Sequence, residues 1–217
     1  MTVTAPAEPT FDDAFAAAFT TLLRWRRDVR HFRPDPIAPD LLDRLLDAAC
    51  LAPSVGYSQP WRFVLVESAA AREAVRANFE GANAEALGDY QGERAKLYAS
   101  LKLAGLRDAP VQLAVFTDAG TQIGHGLGRK TMPETLAYST VMAIQNFWLA
   151  ARSANIGVGW VSILDPDALR ADLAVDPGWS FTAYLCVGYP QAASDRPELA
   201  RRGWEAPHGA SRELLKR

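Results

Sequence analysis

The sequence predicts an α+β fold, one sheet with helices around it, in a single domain spanning residues 1–217. Three observations lead there. A chain of 217 residues is about one substantial domain long. Its 49% hydrophobic content is enough to bury a large core. Short β-branched and aromatic runs are separated by long segments with helical spacing.

Residues 1–10, MTVTAPAEPT, are polar and proline-bearing and are expected to be flexible. Across 11–27, Phe15, Phe19, Leu22 and Leu23 recur at helical spacing and give a first helix. Pro34, Pro36 and Pro39 punctuate its exit. Leu41, Leu42, Leu45, Leu46 and Ala49 then mark one face of a second helix, stopped by Pro53. Residues 61–67, WRFVLVE, and 111–117, VQLAVFT, suit buried strands. Between them, 69–106 reads as helical but is charged and interrupted by Gly81, Gly88, Gly92 and Gly105, which makes it a candidate lid.

The segment 134–154 is apolar on more than one face and is expected to be the central helix, with Gly157 as its left-handed stop. A strand over 158–163, a short helix over 166–174 and a strand over 180–187 follow. The remainder, 191–217, reads as a polar, loop-like tail anchored by Trp204, of the kind that packs on another subunit.

A formal charge of -2 supplies no field for a nucleic acid backbone, so a nucleic acid partner is not expected. Cys50 and Cys186 lie far apart in apolar stretches and read as two buried, reduced thiols, which fits a cytoplasmic location. No secretory signal is legible, because Asp12 and Asp13 break the early apolar stretch and the first basic residue is Arg24. The segment 134–152 carries too many polar residues for a membrane span, so no membrane partner is expected. His31, His125 and His208 have no ligand spacing around them, and a metal site is not expected.

Three stretches can carry chemistry. The run from Arg24 to Arg33 has five arginines around Asp28, and guanidinium forks match phosphate oxygens. The same arginines would also complement the negative end of the preceding helix. Pro53-Ser54-Val55-Gly56 leads to Gln59-Pro60-Trp61, either a ligand-facing turn or an ordinary connection. Gly157-Val158-Gly159-Trp160-Val161-Ser162 nearly spells a dinucleotide fingerprint but follows a helix and enters a strand, the reverse of what that mechanism needs. Its backbone can instead lie flat against an aromatic ring, with Ser162 as a small donor at the edge.

In this order, the three stretches resemble the nitroreductase-fold flavoproteins. The resemblance rests on RRDVR at 26–30, APSVGYSQPWRFVLV at 52–66, LYASLKLAGLRDAP at 97–110 and YSTVMAIQNFWLAARSANIGVGWVSIL at 138–164. Within that family, Asp28, where general nitroreductases commonly carry serine, and Ser162 are similar to the branch that consumes its own flavin. The resemblance implies a nitroreductase-like fold with a central mixed sheet flanked by helices. It also implies a homodimer with two FMN sites at the subunit interface and a lid over each.

In that branch reduced FMN is the substrate and molecular oxygen the co-substrate. A separate NAD(P)H-dependent flavin reductase supplies the reduced flavin, and the products are 5,6-dimethylbenzimidazole, the lower ligand of vitamin B12, and erythrose 4-phosphate. By resemblance, Asp28 does acid/base work and Ser162 donates to or relays protons at the reacting edge. Arg26, Arg27 and Arg30 hold the phosphate and the polar end of the ring. Val29, Gly159 and Trp160 run along the ring, and Ser54, Val55 and Gly56 line its other face. Relatives often have basic residues after the tail Gly-Trp, but Gly203-Trp204 is followed here by Glu205, Ala206 and Pro207, so Arg202 or Arg201 is expected to replace that contact. The segment around Ala137 also departs from the pattern. Two other functions remain open: an NAD(P)H-dependent nitroreductase or flavin reductase that recycles FMN, and a non-catalytic FMN-binding protein in which Asp28 merely pairs its arginine neighbours.

Overall fold

The first helix, α1 (Asp13–Trp25), begins where Asp12 Oδ1 accepts the Phe15 N–H at 2.8 Å. In the computed structural model, which describes residues 8–101, 104–206 and 213–217, α1 buries none of its residues. Helix α2 (Pro39–Cys50) opens on a proline, whose missing N–H costs nothing in a first turn. Strand β1 (Trp61–Leu65) leads to α3 (Ala69–Gly88), capped by Ser68, then α4 (Gly92–Ser100), α5 (Gly105–Asp108) and β2 (Val111–Asp118). The long α6 (Thr135–Ser153), β3 (Gly157–Val161), α7 (Pro166–Asp172), β4 (Trp179–Gly188) and α8 (Glu198–Arg201) complete the chain. None of these helices is long and apolar enough to cross a membrane.

The strands form one sheet in the order β1-β2-β4-β3. The named strands pair antiparallel throughout, and among the described residues the parallel component expected of a mixed sheet is reduced to a single bridge between Asp28 and Val158. Period-two alternation sends Leu113 and Val115 of β2, with Ala183, Leu185 and Val187 of β4, into a core shared with α2 and α6. Ala114, Phe116, Tyr184 and Cys186 point to the opposite face, into a core that includes Val75 of α3 and Leu169 of α7. Both faces are therefore covered. Thr117 donates to Thr140 of α6 at 2.8 Å, a buried bond that fixes the central helix against the sheet.

Four expectations need correction. Cys186 is buried, but Cys50 is exposed at the last turn of α2. The left-handed residue after α6 is Asn155, with φ 60°, and not Gly157. Asparagine tolerates that conformation because its short side chain bonds locally. The strand expected over 158–163 stops at Val161, leaving Ser162 just outside it. The tail is not simply loop-like: it contains α8, and Trp204 packs on its own chain. Its ring centroid lies 5.5 Å from Tyr90 and 6.1 Å from Tyr98, and the Arg94 guanidinium sits 4.6 Å from its centroid.

The candidate lid is also not uniform. Val75 is fully buried, and Arg72 donates to Val66 O at 2.9 Å and Pro110 O at 2.8 Å, so α3 is fastened to the core. Helix α4 buries no residue and is held chiefly by the Tyr90–Tyr98–Trp204 cluster and by Arg202 Nη2, which donates to Ser100 O at 2.9 Å. Of the expected flexible start, residues 1–7 lie outside the described residues, as do 207–212 of the tail.

Candidate active site

After α1 the chain runs along the free edge of β3. Val29 N–H donates to Val158 O at 3.0 Å, and the Asp28 carboxylate reaches back to the same strand, its Oδ1 accepting the Trp160 N–H at 2.9 Å. This approach depends on Gly159, where a Cβ would lie 2.1 Å from the Val29 carbonyl oxygen. Only glycine fits there. Asp28 Oδ2 accepts from Arg30 Nε at 3.3 Å. Burial pushes the Asp28 carboxyl above the usual carboxylate range, against the lowering effects of the Trp160 N–H and Arg30, and the charge of Glu198 pushes it further up.

Asp28 lines a cleft of about 300 Å³ walled by the α1 exit, the C-terminal end of α6, the start of β3 and the tail. Six arginines line it, Arg27, Arg30, Arg152, Arg196, Arg201 and Arg202, against two carboxylates, Asp28 and Glu198. Such an excess of guanidinium groups suits a multiply charged anion. Trp25 and Trp148 add aromatic surface.

Of the expected site residues, Arg27, Asp28, Val29, Arg30 and Arg202 line this cleft. Arg27 Nε also donates to Asp195 O at 2.9 Å and so fixes the tail wall. Arg26 does not line it. Its guanidinium lies 4.7 Å from the Trp148 ring centroid, and burial and the neighbouring Arg27 charge lower its pKa. Gly159 and Trp160 form the strand edge that Asp28 grips. Ser162 is exposed, two residues beyond the N–H that Asp28 holds, about 7 Å along an extended chain.

Ser54, Val55 and Gly56 stand elsewhere. Val55 N–H donates to Ser139 Oγ at 3.0 Å, near the N-terminal end of α6, whereas Trp148 and Arg152 bring the other end of that helix to the cleft. At 1.5 Å rise per residue, Ser139 and Trp148 are about 13 Å apart along the axis. Gly56 has φ 57° and is covered by the 124–128 loop, since a Cβ there would lie 2.9 Å from Leu127 O. Within one copy the turn therefore does not reach the cleft.

Sequence reasoning missed Trp148, Arg152, Arg196 and Glu198. Arg196 and Glu198 sit in a tail whose clustered charges were the available signal, whereas Trp148 reads like any core aromatic.

The chain belongs to the nitroreductase family, whose family model matches residues 23–189 and so spans the whole sheet and most of the cleft wall. The chain is 54% identical over 202 residues to 5,6-dimethylbenzimidazole synthase of Rhodospirillum rubrum, covering 92% of this chain and 96% of that protein. It is 52% identical over 195 residues to 5,6-dimethylbenzimidazole synthase of Rhodobacter capsulatus, covering 90% and 94%. Among solved structures, iodotyrosine deiodinase bound to FMN and 3-iodo-L-tyrosine is similar in fold, with a TM-score of 0.70 at 21% identity over 92% of this chain and 97% of that one.

Proposed function

We propose that this chain catalyses the 5,6-dimethylbenzimidazole synthase reaction, the fragmentation of reduced FMN to 5,6-dimethylbenzimidazole and erythrose 4-phosphate with molecular oxygen as co-substrate. The observation that carries the proposal is the identity of 50% or more, over about nine-tenths of both chains, to relatives of that activity. A carboxylate held at the strand edge of an arginine-rich cleft supports it.

The residues fit FMN. Arg27, Arg30, Arg201 and Arg202 are assigned to its phosphate and the polar end of its ring, and the β3 edge to the ring itself. Bound and reduced, the flavin brings the electrons and the ring that is taken apart. Asp28 is assigned to proton transfer, because it is the carboxylate at the strand edge beside the cleft arginines, accepting from Trp160 N–H and Arg30 Nε, and burial raises its pKa above the usual carboxylate range. Ser162 is assigned to donating or relaying a proton beside it. A separate NAD(P)H-dependent flavin reductase is proposed as the source of reduced flavin.

The site is proposed to be composite. A cleft of about 300 Å³ is at the small end for a ligand of this class, and Ser54–Gly56 lie at the wrong end of α6 within one copy. A homodimer would bring the turn of one copy to the cleft of the other. Phe15, Phe19 and Leu23 form a stripe on α1 that is 50%, 42% and 41% exposed, and Tyr138, Val141 and Met142 are exposed on α6. We assign the lid to α4, which would exclude water from the reacting ring.

The experiment is product analysis after reduced FMN meets air in the presence of the protein. Chromatography is expected to find 5,6-dimethylbenzimidazole in proportion to flavin lost. Complete return of FMN would point to a flavin-recycling reductase if NAD(P)H oxidation accompanies it, and to a binding protein if none does.

A further inference from the structure

Ser162 opens a short span that joins β3 to α7. Val161 and Leu164 are buried and fasten two of its points, leaving Ser162 exposed between them. The far end is Asp165, whose Oδ1 accepts the N–H groups of Asp167 at 2.9 Å and Ala168 at 3.1 Å and so caps α7. Asp165 is also gripped from outside. Its N–H donates to Asn78 Oδ1 at 2.7 Å, and its carbonyl accepts from Asn78 Nδ2 at 3.0 Å.

Asn78 sits in the middle of α3, where asparagine is a weak helix former because its side chain competes for backbone hydrogen bonds. Here that side chain closes a two-bond ring on the backbone of another element. A planar amide carries donor and acceptor side by side. A carboxylate would lack the donor, and alanine would lack both. The helix bearing Asn78 is itself fixed, through buried Val75 and the Arg72 bonds to Val66 and Pro110. The span that carries Ser162 is thus held at its far end by the Asn78 amide, in addition to buried Val161 and Leu164.

We propose that Asn78 is a positioning residue for the reaction: by holding both backbone groups of Asp165, its amide steadies the span that carries Ser162, two residues beyond the Trp160 N–H that Asp28 holds. This rests on the assignment of Ser162 to the proton path.

The test is a double-mutant cycle on the purified full chain, with reduced FMN and air, reading the fraction of flavin converted to benzimidazole. Ser162→Ala is expected to lower that fraction. Asn78→Ala is expected to lower it about threefold to tenfold while FMN affinity stays within about twofold, and to add less than about twofold on top of Ser162→Ala. Asn78→Asp, which keeps the acceptor and loses the donor, provides a second variant should the alanine form fold poorly, and is expected to show the same lack of additivity. Wild-type conversion by both Asn78 variants, or losses that multiply with Ser162→Ala, would overturn the proposal. Wild-type conversion by Ser162→Ala would instead overturn the assignment of Ser162, and the role of Asn78 with it.

Discussion

The Asp28 carboxylate and the Trp160 backbone N–H are joined by a 2.9 Å hydrogen bond between the exit of the first helix and the free edge of the sheet. One oxygen is thereby committed to the fold, while the other faces Arg30 at 3.3 Å. Trp160 N–H would otherwise be an unpaired donor at a sheet edge. The side chain proposed for proton transfer thus also satisfies a strand-edge donor.

Asp28→Asn keeps the acceptor for Trp160 but cannot take up a proton. The variant is expected to bind reduced FMN and let it reoxidise, returning intact flavin. Loss of one general acid/base costs on the order of 100- to 10,000-fold in rate, enough for simple reoxidation to win. Chromatography after single-turnover oxidation checks this. Wild-type yield would leave Asp28 as only a partner of its arginine neighbours.

The same substitution has an opposite consequence for stability. The Asp28 carboxyl is raised in the folded protein, so the native state binds that proton more tightly than the unfolded chain does. Its contribution is favourable below the ordinary carboxylate pKa and is lost as pH rises through the raised value. Asp28→Asn is therefore expected to raise Tm at neutral pH, with the gain shrinking toward pH 4. Calorimetry at the two pH values reads the sign, and a lower Tm at pH 7 would contradict it.

At Gly159 the prediction is steric. Alanine would place a Cβ 2.1 Å from Val29 O, so the Asp28 segment must move off the strand. Overpacking of this kind costs about 1–3 kcal/mol, or about 2–12 °C in Tm for a chain of this size. Benzimidazole formation should fall together with stability.

FMN is expected to bind more tightly than riboflavin. A hydrogen bond to a charged group contributes about 1.5–3 kcal/mol, so each arginine on the phosphate separates the two flavins by roughly 10- to 100-fold. Arg202→Ala should narrow that gap by one such factor. Isothermal titration with both ligands provides its own control, because general damage would weaken riboflavin equally.

The stripe of Phe15, Phe19 and Leu23 predicts association. Phe19→Glu puts a charge in its centre and is expected to weaken a dimer roughly 30-fold or more. Light scattering at micromolar concentration should report a dimer for the natural chain and a monomer for the variant, with FMN binding lost in parallel. A monomeric natural chain would remove the composite site.

Much of the fold was legible locally. The runs beginning at Trp61 and Val111 are strands because β-branched and aromatic residues cluster there, and 134–154 is a helix because its apolar residues recur at helical spacing. The errors came from partners distant in sequence. Cys50 looks buried beside apolar neighbours, yet it falls on the outward side of α2. Arg26 is indistinguishable from Arg27 and Arg30 by composition, but Trp148 captures its guanidinium. Nothing in Pro53–Gly56 reveals that α6 carries that turn away from the arginines, because the separation is a property of the helix between them.

The clasp between α4 and the tail bears on how the chain is made. Arg94 and Trp204 are separated by 110 residues, yet Arg94 Nη1 donates to the Trp204 carbonyl at 2.7 Å. At about 5–20 residues per second, a ribosome needs roughly 6–20 s to travel from one to the other. Throughout that interval α4 has emerged without its aromatic partner, while β2, β3 and β4 are still being added after it. Helix α4 therefore gains its clasp only when the tail, which also walls the cleft, has emerged, and a chain cut short before Trp204 would leave that helix without its principal anchor.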